Sequence, residues 1–315
     1  MRDRLLSNAD LLGAIGTLTA PLSNWSAKWK PTRIALEMLL GVDRDRPLPR
    51  FHRTTFDRWF RKREKRLAKR VAGRYGKVVL LPTCKVNYNR PGIGKSTVAV
   101  LSEADIRVAC PEQRCCGRPY LERGDVEGAL ENLRFNLRTL RHFVDKGYVV
   151  VVLQPGCGRM LQKDYPWLDS SEDAVRVAGA TREVTDYMLE LLKQGAFGRI
   201  DAALPGTLLY HRSCLSGVQG DSLSERTLLE SIPGLSIKRL DGCAGEGSLE
   251  EMRIAHSDRS PLSAAGQDAA MEGTERLRIV SDCARAADRI EKETERPVYH
   301  PVEIFCEALG LSAEC

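Results

Sequence analysis

Six short runs rich in Val, Ile and Leu each lead into a cysteine, and this repeated grammar narrows the folds open to the chain. They are "KVVLLP" before Cys84, "IRVAC" before the adjacent pair Cys115 and Cys116, "YVVVVLQPGC" ending on Cys157, "TLLYHRSC" on Cys214, "LSIKRLDGC" on Cys243 and "LRIVSDC" on Cys283. A continuous β-branched run such as 148–153 marks a strand buried on both faces, as in a parallel sheet. Between the runs lie amphipathic patterns, above all over 125–146, where Leu130, Leu133, Phe135, Leu137, Leu140 and Phe143 are among the apolar positions. Helices are also expected over 96–104 and 181–193. Alternation of this kind builds an α/β fold, and open parallel sheets bind ligands beyond the carboxyl ends of their strands. The cysteines stand at that edge.

The cysteines also repeat. Cys84 and Cys214 are 130 residues apart, Cys115 and Cys243 are 128 apart, and Cys157 and Cys283 are 126 apart. "CCGRP" in the first half answers "CAGEG" in the second, so Ala244 stands where Cys116 stands. The spacing predicts an internal duplication. Two Rossmann-like parallel-sheet modules are expected, over 76–200 and 201–315, with thiols at the strand ends and a helical basic leader over 1–75.

The first module offers four thiols, Cys84, Cys115, Cys116 and Cys157, with Cys110 as a fifth to consider. A disulfide between sequence neighbours is strained, because a bridge wants its two Cα atoms further apart than one peptide bond allows. An adjacent pair reads more naturally as two thiolates aimed at a metal. Four thiolates suit a [4Fe–4S] cluster or Zn²⁺. Structural zinc sites generally use C-x₂-C knuckles, and the chain has none; the long intervals between these cysteines favour ligands converging from separate strands, and hence iron–sulfur. The second module offers Cys214, Cys243 and Cys283, with His211, Glu246, an exogenous thiol or nothing as the fourth ligand. Its site is expected to be incomplete. Cys306 is assigned to the core, and Cys315 is the last residue. No general base or nucleophile stands out. "NRPGIGKST" imitates a phosphate-binding loop but has Asn89 where that motif needs Gly, so it reads as a turn without nucleotide.

The net charge of +6 hides an asymmetry. Residues 1–75 hold 18 Lys/Arg against 7 Asp/Glu, whereas the remainder is mildly acidic. The leader also carries Trp25, Trp29 and Trp59, and Leu5, Leu6, Ala9, Leu12 and Ile15 fit one helical face. A basic, aromatic leader suits an acidic partner or an anionic lipid surface. No reader motif supports nucleic acid. No signal peptide or membrane span is evident, so the expected location is the cytoplasm, with peripheral attachment to the inner face of the membrane.

Several stretches together carry a family likeness: "LPTCKVNYNRPGIG", "CPEQRCCGRP", "QPGCGRML", "YHRSC", "GCAGEG" and "VSDCARA…HPVEIF". They resemble the duplicated cysteine-rich (CCG) domains of iron–sulfur oxidoreductases, a family that includes heterodisulfide reductase subunits and the iron–sulfur subunits of glycolate and lactate oxidases. The leader resembles the linker of the anaerobic glycerol-3-phosphate dehydrogenase branch. The resemblance implies an electron-transfer subunit relaying electrons from a flavoprotein dehydrogenase subunit, through a ferredoxin-like domain or subunit, toward the membrane quinone pool. It also implies that Cys84, Cys115, Cys116 and Cys157 hold the first cluster, and that Cys214, Cys243 and Cys283 belong to the second. Where the heterodisulfide reductase form closes each module with C-x₂-C, this chain has Met160 and Ala286, which argues against its five-thiolate cluster and disulfide chemistry. Members of the glycerol-3-phosphate branch usually begin with a ferredoxin domain, so the expectation is that this domain is a separate polypeptide, or that the chain is a fragment or a shortened gene product.

Overall fold

The computed structural model describes residues 6–198, 200, 204–213, 224–240 and 277–312. Cys214, Cys243, Glu246 and Cys315 lie outside them.

Among the described residues two four-stranded sheets form, and every strand pairing in them is parallel. The first contains β1 (Gly76–Leu81), β2 (Ile106–Ala109), β3 (Val149–Val152) and β4 (Thr181–Glu183) in the order β2-β1-β3-β4. The second contains β5 (Gly206–His211), β6 (Leu235–Leu240), β7 (Leu277–Ser281) and β8 (Val298–Tyr299) in the order β6-β5-β7-β8. The two orders are the same, as duplication requires. Six of these strands are the runs that end on cysteines. The other two, β4 and β8, are three and two residues long and too short to produce a period.

Among its described residues the leader contributes α1 (Ala9–Leu18), α2 (Leu22–Ser26), α3 (Lys30–Leu40) and α4 (Phe56–Arg70). The first module adds α5 (Thr83–Tyr88), α6 (Pro91–Glu103), α7 (Arg118–Leu121) and α8 (Val126–Val144). After β3 come α9 (Pro155–Arg159), a π-helical turn at Met160–Asp164, α10 (Tyr165–Leu168), α11 (Glu172–Ala180) and α12 (Val184–Lys193). The second module contributes α13 (Ser224–Glu230), α14 (Ala284–Thr294) and α15 (Pro301–Ala308).

Side chains alternate across the first sheet, and each face has its own core. Val79, Leu81, Val150 and Val152 pack with Leu133, Leu137 and Leu140 of α8 and with Tyr165. On the opposite face, Val78, Leu80 and Val151 join a larger core that also takes in Leu208, Tyr210 and Val280 of the second sheet. Helices α6, α12, α13 and α15 fill the layer between the sheets, with Leu101, Met188, Leu228 and Phe305 among their buried residues. Burying a side chain such as Phe305 contributes about 2–3 kcal/mol. A polar seam reinforces this join: Arg90 bonds Asp288 Oδ1 at 3.0 Å and Glu291 Oε2 at 2.6 Å, and Lys85 also bonds Asp288.

Two expectations need correcting. "PGIGKST" is the start of α6 and not a turn, because Pro91 suits the first helical position, where no amide donor is needed. Gly94 is required inside that helix, since a Cβ there would meet the Phe56 ring at 2.5 Å. In α1 the expected apolar face is only partly inward: Leu6, Ala9 and Leu12 are half-buried, Ala9 against the thiol group, and Ile15 is exposed. Gly13 and Gly16 are the helix's close contacts, with hypothetical Cβ atoms 2.2 Å from Tyr88 and 2.6 Å from Phe51, while Leu11 is also exposed.

Candidate metal centre

Each thiol of the first module leaves a strand end by a different local device. Pro82 follows β1, and Thr83 then adopts φ +63°, a left-handed conformation that is costly for a β-branched residue. That turn starts α5 with Cys84 as its second residue. After β2 the chain runs through an irregular loop to Cys115, Cys116 and Gly117. Gly117 has φ +93°, and a Cβ there would lie 3.1 Å from the Ala129 carbonyl oxygen, so both conformation and space demand glycine. After β3, Gln154 and Pro155 open the single turn of α9 that carries Cys157.

The structure brings these four cysteines together. Cys115 Sγ lies 4.0 Å from Cys84 Sγ, Cys115 also contacts Cys116, and Cys116 contacts Cys157. None of them is in a disulfide, and all four share one packed group with Leu81, Met160 and Tyr165. Hydrogen bonding to Cys116 and Cys84, followed by burial, pushes the Cys115 thiol well up. The bond to Cys116 raises Cys157 in the same way. Cys116 is held well below the usual thiol range by those donors and by the Arg118 backbone N–H. Without a cation, such a group shares its protons and cannot ionise throughout.

Side chains from elsewhere fix the cysteine pair. Asn136, buried on α8, accepts from the Arg114 N–H at 2.9 Å and donates to the carbonyls of Arg114 and Cys115 at 3.1 and 3.3 Å. The Tyr165 hydroxyl donates to the Cys116 carbonyl at 3.1 Å. Gln113 donates to the Leu80 carbonyl at 2.7 Å, pinning the loop to β1. From the leader, Asp10 accepts from the Cys115 N–H at 2.7 Å. Sequence reading missed all four residues. Asn136 left a faint signal as a polar residue on the buried face of an amphipathic helix; Asp10 left none, being 105 positions from its partner.

A charged group lies beside the thiols. Arg118 Nε bonds Glu122 Oε1 at 2.7 Å, and Arg285 of the second module approaches Glu122 Oε2 at 3.5 Å. Burial opposes the Arg285 charge, but Glu122, Cys283, Cys84 and Cys157 together hold its pKa up. Arg285 thus stands near Cys283 as well as Cys84 and Cys157. Cys283 is the N-cap of α14, and the neighbouring Ala284 N–H donates to Gln154 Oε1 at 2.9 Å, within three residues of Cys157. Burial pushes the Cys283 thiol up. His211 is buried with Nδ1 3.0 Å from Ser281 Oγ. Cys110 stands apart in the larger core, where burial pushes its thiol up to about 12, and Cys306 is buried there too. Cys110 is thus no fifth member of the group.

The donor chemistry fits a thiolate-held metal group. The four thiols contact one another as a chain, and among the described residues no group of three or more His, Cys, Asp and Glu side chains has the geometry to hold a single metal ion.

These features define a class: paired α/β modules, the first of which gathers buried thiols from three strand ends. The cysteine-rich domain family known as CCG matches residues 78–162. The chain is 28% identical over 320 residues to the C subunit of anaerobic glycerol-3-phosphate dehydrogenase from Escherichia coli (strain K12), covering 98% of this chain and 78% of that protein. It is 30% identical over 243 residues to lactate utilization protein A of Bacillus thuringiensis (strain Al Hakam) and of Bacillus cereus (strain AH187), covering 73% of this chain and 98% of each. The chain belongs to the duplicated cysteine-rich (CCG) domain family of iron–sulfur oxidoreductases.

Proposed function

We propose that this protein is the iron–sulfur electron-transfer subunit of a multi-subunit oxidoreductase. It would carry electrons from a flavoprotein dehydrogenase subunit, of glycerol-3-phosphate or 2-hydroxy acid type, toward membrane quinone. The observation that carries the reading is the convergence of Cys84, Cys115, Cys116 and Cys157 in one buried, disulfide-free group. In this reading those four residues hold a [4Fe–4S] cluster, and Cys214, Cys243 and Cys283 serve a second, less complete site. A ferredoxin-like domain or subunit is a further partner. The relatives are named as a dehydrogenase subunit and a lactate utilization protein, which supports a dehydrogenase partner.

When bound, the cluster supplies one-electron redox chemistry. The chain's own residues bind it, exclude water and set the surrounding field. Met160, Leu161 and Tyr165, all fully buried, close one side of the thiol group. The Arg118 N–H donates to Cys116 sulfur, and the Arg118 and Arg285 guanidiniums offset negative charge there. Anaerobically purified protein should be brown, with iron and acid-labile sulfide in equal amounts. Zinc is the rival, because four thiolates also suit Zn²⁺. Colourless protein containing zinc would favour it.

Approach to the membrane is assigned to the leader. Among the described residues no helix is long and apolar enough to cross a bilayer. Leu18, Leu22, Trp25, Trp29, Met38 and Leu39 nevertheless lie exposed on α1 to α3, with Met38 80% and Leu18 78% accessible. Trp25 and Trp29 stack at 5.4 Å. Beside them is a groove of about 860 Å³ lined by Trp25, Lys28, Lys30, Arg33, Arg44, Arg46 and Arg50 among others. Interfacial aromatics beside cations suit a surface of anionic lipid. Co-sedimentation with anionic vesicles at low salt should fall about tenfold on replacing Trp25, Trp29, Met38 and Leu39 with Ser. Equal binding to neutral vesicles, or none at low salt, would refute lipid attachment.

A further inference from the structure

The start of α1 reaches the thiols. Ala9 packs into the same group as Cys84, Cys115, Cys116 and Cys157. Asp10, the next residue, accepts the Cys115 N–H at 2.7 Å. The helix is held in place independently of this bond: Gly13 abuts the Tyr88 ring of α5, Gly16 abuts Phe51, and Asn8 caps the first turn by accepting from the Leu11 N–H at 3.0 Å. Asp10 is therefore presented to the cysteine pair by a helix that has its own reasons to be there.

We propose that α1 is a wall of the metal centre and that Asp10 is its positioning residue, a reading that rests on an iron–sulfur group at these cysteines. Two consequences follow from the geometry. Backbone amides beside a cluster commonly donate to sulfur, and each such bond raises the reduction potential. The Cys115 amide is committed to Asp10 and does not serve sulfur. The carboxylate also adds negative charge beside the pair, which favours the oxidised group. Both effects lower the potential, in opposition to Arg118 and Arg285. The leader thereby reaches the redox centre as well as the protein surface, and a partner or membrane that pulls on α1 acts on the pair through one hydrogen bond.

The test uses the full chain in two states. In apo protein kept reduced, the alkylation rates of Cys115 and Cys116 by iodoacetamide are read by mass spectrometry. Asp10→Ala should raise them about tenfold, while Asp10→Asn, which keeps an acceptor oxygen, should stay within about twofold of the parent. In protein reconstituted with iron and sulfide, Asp10→Asn should keep its iron content and melting temperature but move the potential to a more positive value, a shift that a purely structural role would not produce. Unchanged alkylation in Asp10→Ala, or an unchanged potential in Asp10→Asn at full iron content, would overturn the proposal. The Asp10→Asn result stands alone if Asp10→Ala does not fold. Failure of every chain, parent included, to take up iron would sink the iron–sulfur reading, whereas the alkylation result would still decide whether α1 shields the pair.

Discussion

The two modules share a strand order but finish their central strands differently. In the first, β1 and β3 end side by side on Leu81 and Val152, both buried and apolar. In the second, the matching positions on β5 and β7 are His211 and Ser281, buried and within 3.0 Å of each other. Just beyond, Asp282 accepts from the Ser213 N–H at 3.0 Å, and Glu225 of α13 is buried nearby. The first module thus ends its central strands in hydrocarbon, and the second ends them in titratable groups. A thiolate-held group in a dry apolar pocket is protected from water and oxygen. One framed by ionisable residues depends on pH. In the proposed reading, the first half therefore carries the firm site and the second a pH-dependent one.

The largest expected contrast between the halves comes from single cysteine replacements. Cys116→Ser should remove most of the iron and sulfide, because Cys116 receives both Cys115 and Cys157 in the thiol group. Cys283→Ser should leave most of it. Metal analysis of both variants, purified anaerobically, checks the pair, and equal losses would erase the distinction.

Next in size is the seam that joins the modules. Asp288 is pressed by burial toward its neutral form, yet Lys85 and Arg90 hold its pKa below the usual carboxylate value. Breaking such a pair leaves two poorly solvated cations, so Asp288→Ala should cost about 3 kcal/mol at neutral pH. Because the folded pKa is depressed, this stabilisation is present above about pH 4 and is lost as the pH falls below that through the folded value. Denaturant melts at pH 7 and pH 3 should show the difference between parent and variant shrinking.

A smaller effect should distinguish the second module alone. Burial, then Asp282 and Asp186, push the Glu225 carboxyl up to about 7, with Arg212 only partly opposing them. Tyr210 faces the same carboxyl, and its own pKa is raised chiefly by burial. A raised folded pKa means that the neutral acid stabilises the fold below the unfolded value near 4.5, and that this is lost as pH rises through about 7. Glu225→Gln should therefore be neutral at pH 5 and stabilise by on the order of 2 kcal/mol at pH 8. A variant with no gain at pH 8 would remove this mark of the second module.

Legibility in the sequence followed pattern length. The strands with apolar runs, the long helix α8 and the duplication were all readable, because burial on both faces or on one stripe leaves a period behind. β4 and β8 were not, since two or three residues carry no period. α1 was legible only in part: Ala9 of the expected face packs with the thiols, but the closest contacts are made by glycines and Ile15 is exposed. The thiols were found because cysteine is rare and its spacing repeats. Their supports, Asn136, Tyr165, Gln113 and Asp10, act through single hydrogen bonds to backbone groups distant in sequence, and such bonds leave no local pattern.

In the proposed reading the four thiols of the first module hold an iron–sulfur cluster by themselves. The most direct test of that reading is the iron and acid-labile sulfide content of the full chain with Cys214, Cys243 and Cys283 all replaced by Ser, purified anaerobically. About four irons and four sulfides per chain, with a brown colour and broad absorption near 400 nm, are predicted. A colourless chain, or one carrying a single zinc in place of iron, would contradict the account.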